Sequence, residues 1–242
     1  SAYDDLIENN LKRIALLEES ARLLYKEWFV RLRFPGHEHT RIVDGVPEGW
    51  EKRSIADLCE SINYGYTASA QQEEVGVKFL RITDIVPSFI DWSSVPYCEI
   101  PDNKKELFLL KEGDIVVART GATVGYAKRM HKRHPETVFA SYLVRLRLKK
   151  DIENVMIGVF VESEDYKNYI QAHIGGAAQP NANAKVISGA SVLVPPKSIQ
   201  QLFRDTVEAS FDQREILLIQ NQKLKQARDL LLPRLMNGEI PV

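Results

Sequence analysis

Two stretches of the chain repeat their apolar positions at helical spacing, and they lie at its two ends. From Asp4 to Arg33 there is neither Pro nor Gly, and Ile7, Leu11, Ile14, Leu17, Ala21, Leu24 and Trp28 follow one another at steps of three or four. This stripe predicts an amphipathic helix of about 30 residues, roughly 45 Å long at 1.5 Å per residue. Phe34-Pro35-Gly36 ends it, because Pro cannot continue a helix and Gly permits the turn. The second stripe runs from Ser198 to Asn237, between Pro195-Pro196 and Gly238. Phe203, Ser210, Leu217, Leu224 and Leu231 stand seven apart, beside a companion row of Val207, Arg214, Asn221, Arg228 and Leu235. Arg214 and Asn221 on such a seam weaken its packing and set its register. Pro233 is expected to bend or loosen the last turn. A long helix with an open apolar stripe is not stable alone in water, so the two are expected to pair as an antiparallel coiled coil.

Between them the period changes. Val77–Thr83, Asp114–Arg119, Ser141–Leu148 and Ala190–Pro195 read as strands, the third alternating Leu143, Arg145 and Arg147 against Val144, Leu146 and Leu148. Helical patches fall at Ser54–Cys59 and Val155–His173. The expected fold class is α+β: a β-rich mixed domain over residues 41–197, flanked by long helices over 1–40 and 198–242.

The chain has 242 residues, enough to bury a sizeable core, and a formal net charge of −1. Its 44% hydrophobic content excludes a disordered or collagen-like chain. No run of apolar residues is long enough to span a bilayer, and acids interrupt the first ten residues where a secretory signal would be apolar. Cys59 and Cys98 stand far apart without metal-ligand spacing, which predicts two core thiols in a reducing, cytoplasmic compartment. His37, His39, His131, His134 and His173 do not assemble a ligand set either, so neither metal nor cofactor is expected.

The charge is unevenly spread. Between Arg119 and Lys150 lie nine bases and a single acid, Glu136, so this tract is net +8. A locally positive surface on a neutral protein is the electrostatic footprint of a nucleic-acid face, although a solvated basic hairpin has the same composition. Lys128, Arg129, Lys132 and Arg133 are the expected phosphate contacts. Asn63-Tyr64-Gly65-Tyr66, Arg81 and Arg119-Thr120 are the expected base-reading groups, because amide and guanidinium groups match purine edges in the major groove. Gln179, Asn181 and Asn183 form a further candidate loop, with a structural role at the joint between domain and helix as the other reading. No phosphate-binding loop, nucleophile elbow, zinc-protease motif or paired nuclease carboxylates are present, so the chain reads as a binder without catalysis.

Several ordered pieces carry a family resemblance. They are Leu16-Leu-Glu-Glu-Ser-Ala-Arg-Leu-Leu-Tyr-Lys-Glu-Trp-Phe, Arg33-Phe-Pro-Gly, Pro47-Glu-Gly-Trp-Glu and Phe79-Leu-Arg-Ile-Thr-Asp-Ile. Leu110-Lys-Glu-Gly-Asp-Ile-Val-Val-Ala-Arg-Thr-Gly-Ala-Thr-Val-Gly, Val194-Pro-Pro and Leu230-Leu-Leu-Pro-Arg-Leu-Met-Asn-Gly-Glu-Ile follow. Over nearly its whole length the chain resembles the specificity (S) subunit of Type I restriction–modification systems. The resemblance implies a target recognition domain that reads one half of a split site in double-stranded DNA. It implies helices that act as a spacer and dock methyltransferase (M) subunits, which supply the chemistry, with restriction and translocation (R) subunits joining through that core. The family pattern has two recognition domains and this sequence has one, so a half-length form is expected, and a homodimer would supply the second reader. Taken without the resemblance, the residues also fit a coiled-coil adaptor whose β-rich domain binds a protein or small ligand and no DNA.

Overall fold

The computed structural model describes residues 1–174 and 180–236. Helix α1 (Ala2–Tyr25) starts on a reciprocal cap between Ser1 and Asp4, which satisfies backbone N–H groups that the first turn leaves unpaired. It continues through a wider turn over Lys26–Val30 and stops where Leu32 takes a left-handed φ of 58°. The helical path therefore ends just before the Phe-Pro-Gly signal.

Strands β1 (Ile42–Val43) and β2 (Val46–Pro47) form a hairpin on Asp44-Gly45, both at positive φ as a tight two-residue turn requires. Strand β3 (Glu51–Ser54) passes through the single-turn α2 (Ile55–Leu58) into β4 (Cys59–Tyr64). There follow β5 (Val77–Leu80), α3 (Ile82–Ile85), β6 (Tyr97–Cys98) and α4 (Asp102–Phe108). Strands β7 (Ile115–Ala118), β8 (Ala127–Arg129), β9 (Thr137–Phe139) and β10 (Leu143–Leu148) complete the β-rich centre. Helices α5 (Asn154–Val161), α6 (Glu164–His173) and α7 (Ala184–Ser188), strand β11 (Ser191–Val194) and helix α8 (Lys197–Met236) close the chain.

The main sheet is antiparallel with the order β4-β10-β7-β8. A second sheet, β6-β5-β9, pairs β5 with β9 in parallel, and β3 pairs with β11. Strand β10 alternates as its sequence predicts, with Val144, Leu146 and Leu148 in the larger core and Leu143 in a second core with Leu80 and Phe139. Two expectations are corrected. The strand predicted through Thr83 stops at Leu80, because Asp84 draws in the Arg81 N–H and guanidinium and starts a helical turn. The single patch predicted over Val155–His173 is two helices, because the Ser163 hydroxyl caps a new start at Tyr166 N.

The terminal helices pack against each other. Asp4 meets Arg228, Asn10 meets Asn221 and Glu18 meets Arg214, so one number falls as the other rises and the pair is antiparallel. Ile7, Ile14, Ala21 and Trp28 are buried at a spacing of seven, with Asn10 buried beside them, and Val207, Leu217 and Asn221 are buried on the partner helix, which is roughly 60 Å long. Pro233 lies within α8. Gln179 and the side chain of Leu235 lie outside what is described. The larger core joins the helices to the β-rich centre through an aromatic cluster: the Phe203 ring stands 4.9 Å from Phe29 and 5.7 Å from Trp28.

Candidate nucleic-acid interface

The basic tract is the place where the centre is clamped to α8. Lys128 Nζ donates to Ser88 O at 2.8 Å and to Glu162 Oε2 at 3.1 Å. Arg129 is buried, and its guanidinium donates to Asn154 Oδ1 at 2.9 Å and Glu208 Oε2 at 3.3 Å. Its aliphatic stem passes α5 at Gly158, where a Cβ would stand 2.9 Å from the Arg129 Cδ. Lys132 Nζ lies 2.9 Å from Asp212 Oδ2, and Arg133 lies 3.7 Å from the other oxygen of that carboxylate.

Two histidines complete the clamp. His131 Nδ1 accepts from Arg133 N and His134 Nδ1 accepts from His131 N. Each imidazole therefore carries its proton on Nε2, which lies 3.3 Å from Asp212 for His131 and 3.4 Å from Glu215 for His134. Burial, with Arg129 adding to it, brings His131 down to about 4 against the pull of Glu215 and Asp212. The bond from Lys132 holds Asp212 below its usual range. Burial opposes charge on Glu215, but His134 and Arg214 prevail and hold it at about 2.

The expected phosphate contacts thus all have carboxylate neighbours within the chain. Arg129 has no exposed charge to offer a phosphate, Lys128 is largely covered, and Lys132 and Arg133 face a carboxylate. Within β10, Arg145 is buried against Asn63 and the Leu107 and Leu109 carbonyls, while Arg147 forks onto Asp114 at 2.7 and 2.8 Å.

The base-reading candidates divide into two groups. Asn63 Oδ1 accepts from Arg145 at 2.9 Å, the Tyr66 ring packs on Phe108 at 5.2 Å, and Arg81 forks onto Asp84 at 2.9 and 3.0 Å. Those three support the fold. Tyr64, Arg119 and Thr120 instead converge with Asn181 and Asn183. The Arg119 guanidinium lies over the Tyr64 ring at 4.6 Å, and its Nη2 stands 3.5 Å from Asn181 Oδ1. Tyr64 OH accepts from Ala184 N at 3.1 Å, one residue past Asn183, which caps α7. Backbone pairing locks the two loops: Gly121 N donates to Pro180 O, Ala182 N donates to Arg119 O, and Thr120 bridges Asn181.

Gly65 separates the two tyrosines. A Cβ there would stand 2.2 Å from the Ala140 carbonyl oxygen, so only glycine lets the end of β4 run so close to that backbone. Tyr142 is 61% exposed and its carbonyl accepts from Arg119 N, and Lys185 is an exposed cation next to Ala184 in the chain. Sequence reading missed both, since an exposed Tyr and a single Lys carry no periodic signal. Cys59 and Cys98 are buried, and burial pushes their thiols up to about 12 and about 11, which leaves them unreactive. Among the described residues no three His, Cys, Asp or Glu side chains come together to hold a metal, and no helix is long and apolar enough to cross a membrane.

Residues 47–227 match the model of the Type I restriction modification DNA specificity domain. The MjaIX specificity subunit of the Type I restriction enzyme from Methanocaldococcus jannaschii is 25% identical over 273 aligned positions, covering 100% of this chain and 57% of that protein. The HindI specificity subunit from Haemophilus influenzae is 26% identical, covering 81% of this chain and 42% of its own length. The chain thus spans about half the length of these curated relatives. In structure it resembles the S subunit of a Type I restriction–modification system from M. genitalium, with a TM-score of 0.65 and 14% identity over 96% of this chain and 57% of that one. The family match extends from the second strand of the hairpin far into the last helix, and on that ground the chain belongs to the Type I restriction modification DNA specificity domain family.

Proposed function

We propose that the chain is a sequence-reading subunit of a Type I restriction–modification complex, with residues 41–197 as the recognition domain and the terminal helices as its spacer. It reads one half of a split site in double-stranded DNA and performs no chemistry itself. The observation that carries this reading is the partly exposed patch of Tyr64, Arg119, Thr120, Asn181 and Asn183, built from the end of β4 and two separate loops in a domain of this family. Its mixture of aromatic, guanidinium and amide groups suits base edges, and Lys185 beside it suits phosphate.

Methyltransferase subunits dock along the helices. In support, Leu16 and Leu23 stand seven apart on α1, 71% and 53% exposed, and Val30, 53% exposed, follows in the wider turn that extends it. Such a row is costly in water unless something covers it. The restriction and translocation subunits join through the methyltransferases. A second reader, from another copy of this chain or from a longer chain, completes a split site.

The test is a mobility shift on mixed-sequence duplex DNA at low salt, with and without a methyltransferase subunit of the same system. Binding that sharpens with the partner supports the reading. A chain that ignores duplex DNA under both conditions overturns it and favours an adaptor.

A further inference from the structure

We infer that Arg119 is the guanine-reading side chain of this domain, held in position by Tyr64 and Asn181. The inference rests on the proposed function and goes further by assigning one side chain to one type of base pair.

The argument begins with the fate of the other bases in the tract. Lys128, Arg129, Lys132, Arg133 and Arg147 each face a carboxylate, Arg145 is buried among carbonyl oxygens, Lys149 donates to the Asp57 carbonyl, and Lys150 is an exposed point charge beyond the end of β10 that cannot form a planar fork. Among the described residues Arg119 has no carboxylate partner. Its Nε is shut off from water and finds no acceptor, so stacking on Tyr64 and the long contact to Asn181 hold the guanidinium in place of an ion pair. No carboxylate therefore competes with an outside acceptor for the terminal Nη groups of this partly exposed side chain.

The geometry selects the acceptor. Tyr64 covers one face of the guanidinium plane, which leaves the terminal Nη edge for contacts lying in that plane. Two in-plane donors match the O6 and N7 atoms of guanine in the major groove. The backbone is fixed on both sides: Arg119 N donates to Tyr142 O at 3.0 Å, and Arg119 O accepts from Ala182 N at 2.8 Å. Ordering this side chain therefore adds little to the cost of binding, as a base-reading group requires. Tyr64 and Asn181 act through Arg119 and are positioning residues.

The experiment is selection from duplexes with a randomised core, using the full chain together with a methyltransferase subunit of its own system. The wild-type chain is expected to select a motif that contains a G·C pair. Arg119→Ala should lose preference at that pair by about tenfold or more while the other positions stay selected. Arg119→Lys should fail to restore it, because a point charge cannot form the fork. Tyr64→Ala should lose the same pair, and Tyr64→Phe, which keeps the ring, should rescue it. If Arg119→Ala selects the wild-type motif, the assignment is wrong. If Arg119→Lys restores wild-type behaviour, Arg119 contacts phosphate and the assignment is also wrong. A wild-type chain that selects no motif overturns the proposed function itself, which separates the two failures.

Discussion

Asn10 and Asn221 share a hydrogen bond of 2.8 Å inside the seam between the first and last helices. Both are buried, Asn10 in the first half of α1 and Asn221 in the second half of α8, and each is the other's side-chain partner. An apolar seam alone tolerates a shift by one turn, whereas a buried amide pair is satisfied at one register only. Replacing either Asn by Leu should cost about 1–3 kcal/mol, because the remaining amide stays buried without its partner. The double replacement should recover most of that loss while weakening the register. Urea unfolding of the two single variants and the double variant measures both effects.

The clamp makes stability depend on pH in two windows. His131 is brought from 6.5 to about 4 in the folded chain, so the unfolded chain binds the extra proton first. Its contribution is complete above about 6.5 and is lost as the pH falls towards 4. Glu215 is brought from 4.5 to about 2, so its contribution is present above about 4.5 and is lost towards 2. Thermal unfolding should therefore show stability falling with pH across both windows. His131→Gln should flatten the upper window and leave the lower one in place.

Lys128 pairs with Glu162, and this has a measurable consequence. A phosphate contact changes the slope of log affinity against log salt by about one when it is removed. Lys128→Ala should instead lower the unfolding temperature, because Glu162 loses its cation, and should leave the salt slope unchanged. A slope reduced by about one would return Lys128 to the DNA face.

Gly158 should resist the substitution that helix propensity favours. Alanine gains up to about 1 kcal/mol over glycine in a helix interior. Here its Cβ would meet Arg129 Cδ at 2.9 Å and Cβ at 3.1 Å, and that stem is pinned by Asn154 and Glu208. Gly158→Ala should be destabilising by about 1–3 kcal/mol through overpacking, read by denaturant unfolding.

Gly65→Ala should disable the patch. The added Cβ cannot coexist with the Ala140 carbonyl at 2.2 Å, so the strand end must move and take Tyr64 with it. DNA binding by the proposed reader should fall while Tyr64→Phe, at the adjacent position, keeps the duplex shift. Parallel mobility-shift titrations of the two variants decide the point.

The rods were legible because helix periodicity is local. Residues seven apart share a face whatever the rest of the chain does, so Ile7, Ile14, Ala21 and Trp28 announced their seam in one dimension. The alternation in β10 was legible for the same reason. Strands β3, β4, β8 and β9 lie outside the predicted set, because Glu51-Lys-Arg-Ser, Cys59-Glu-Ser-Ile-Asn-Tyr and Ala127-Lys-Arg lack the apolar runs that mark β7 and β11, and β9 is only three residues long.

By itself the sequence determined the two amphipathic helices, the β-rich centre and the unequal spread of charge, since each is a property of neighbours along the chain. Only the tertiary structure decided what those charges face. Lys132 meets Asp212 across 80 positions of sequence, and Arg119 meets Asn181 across 62. A charge's energy depends on the partner and solvent beside it, so composition could announce eight excess bases but not that folding neutralises Lys132 and leaves Arg119 open.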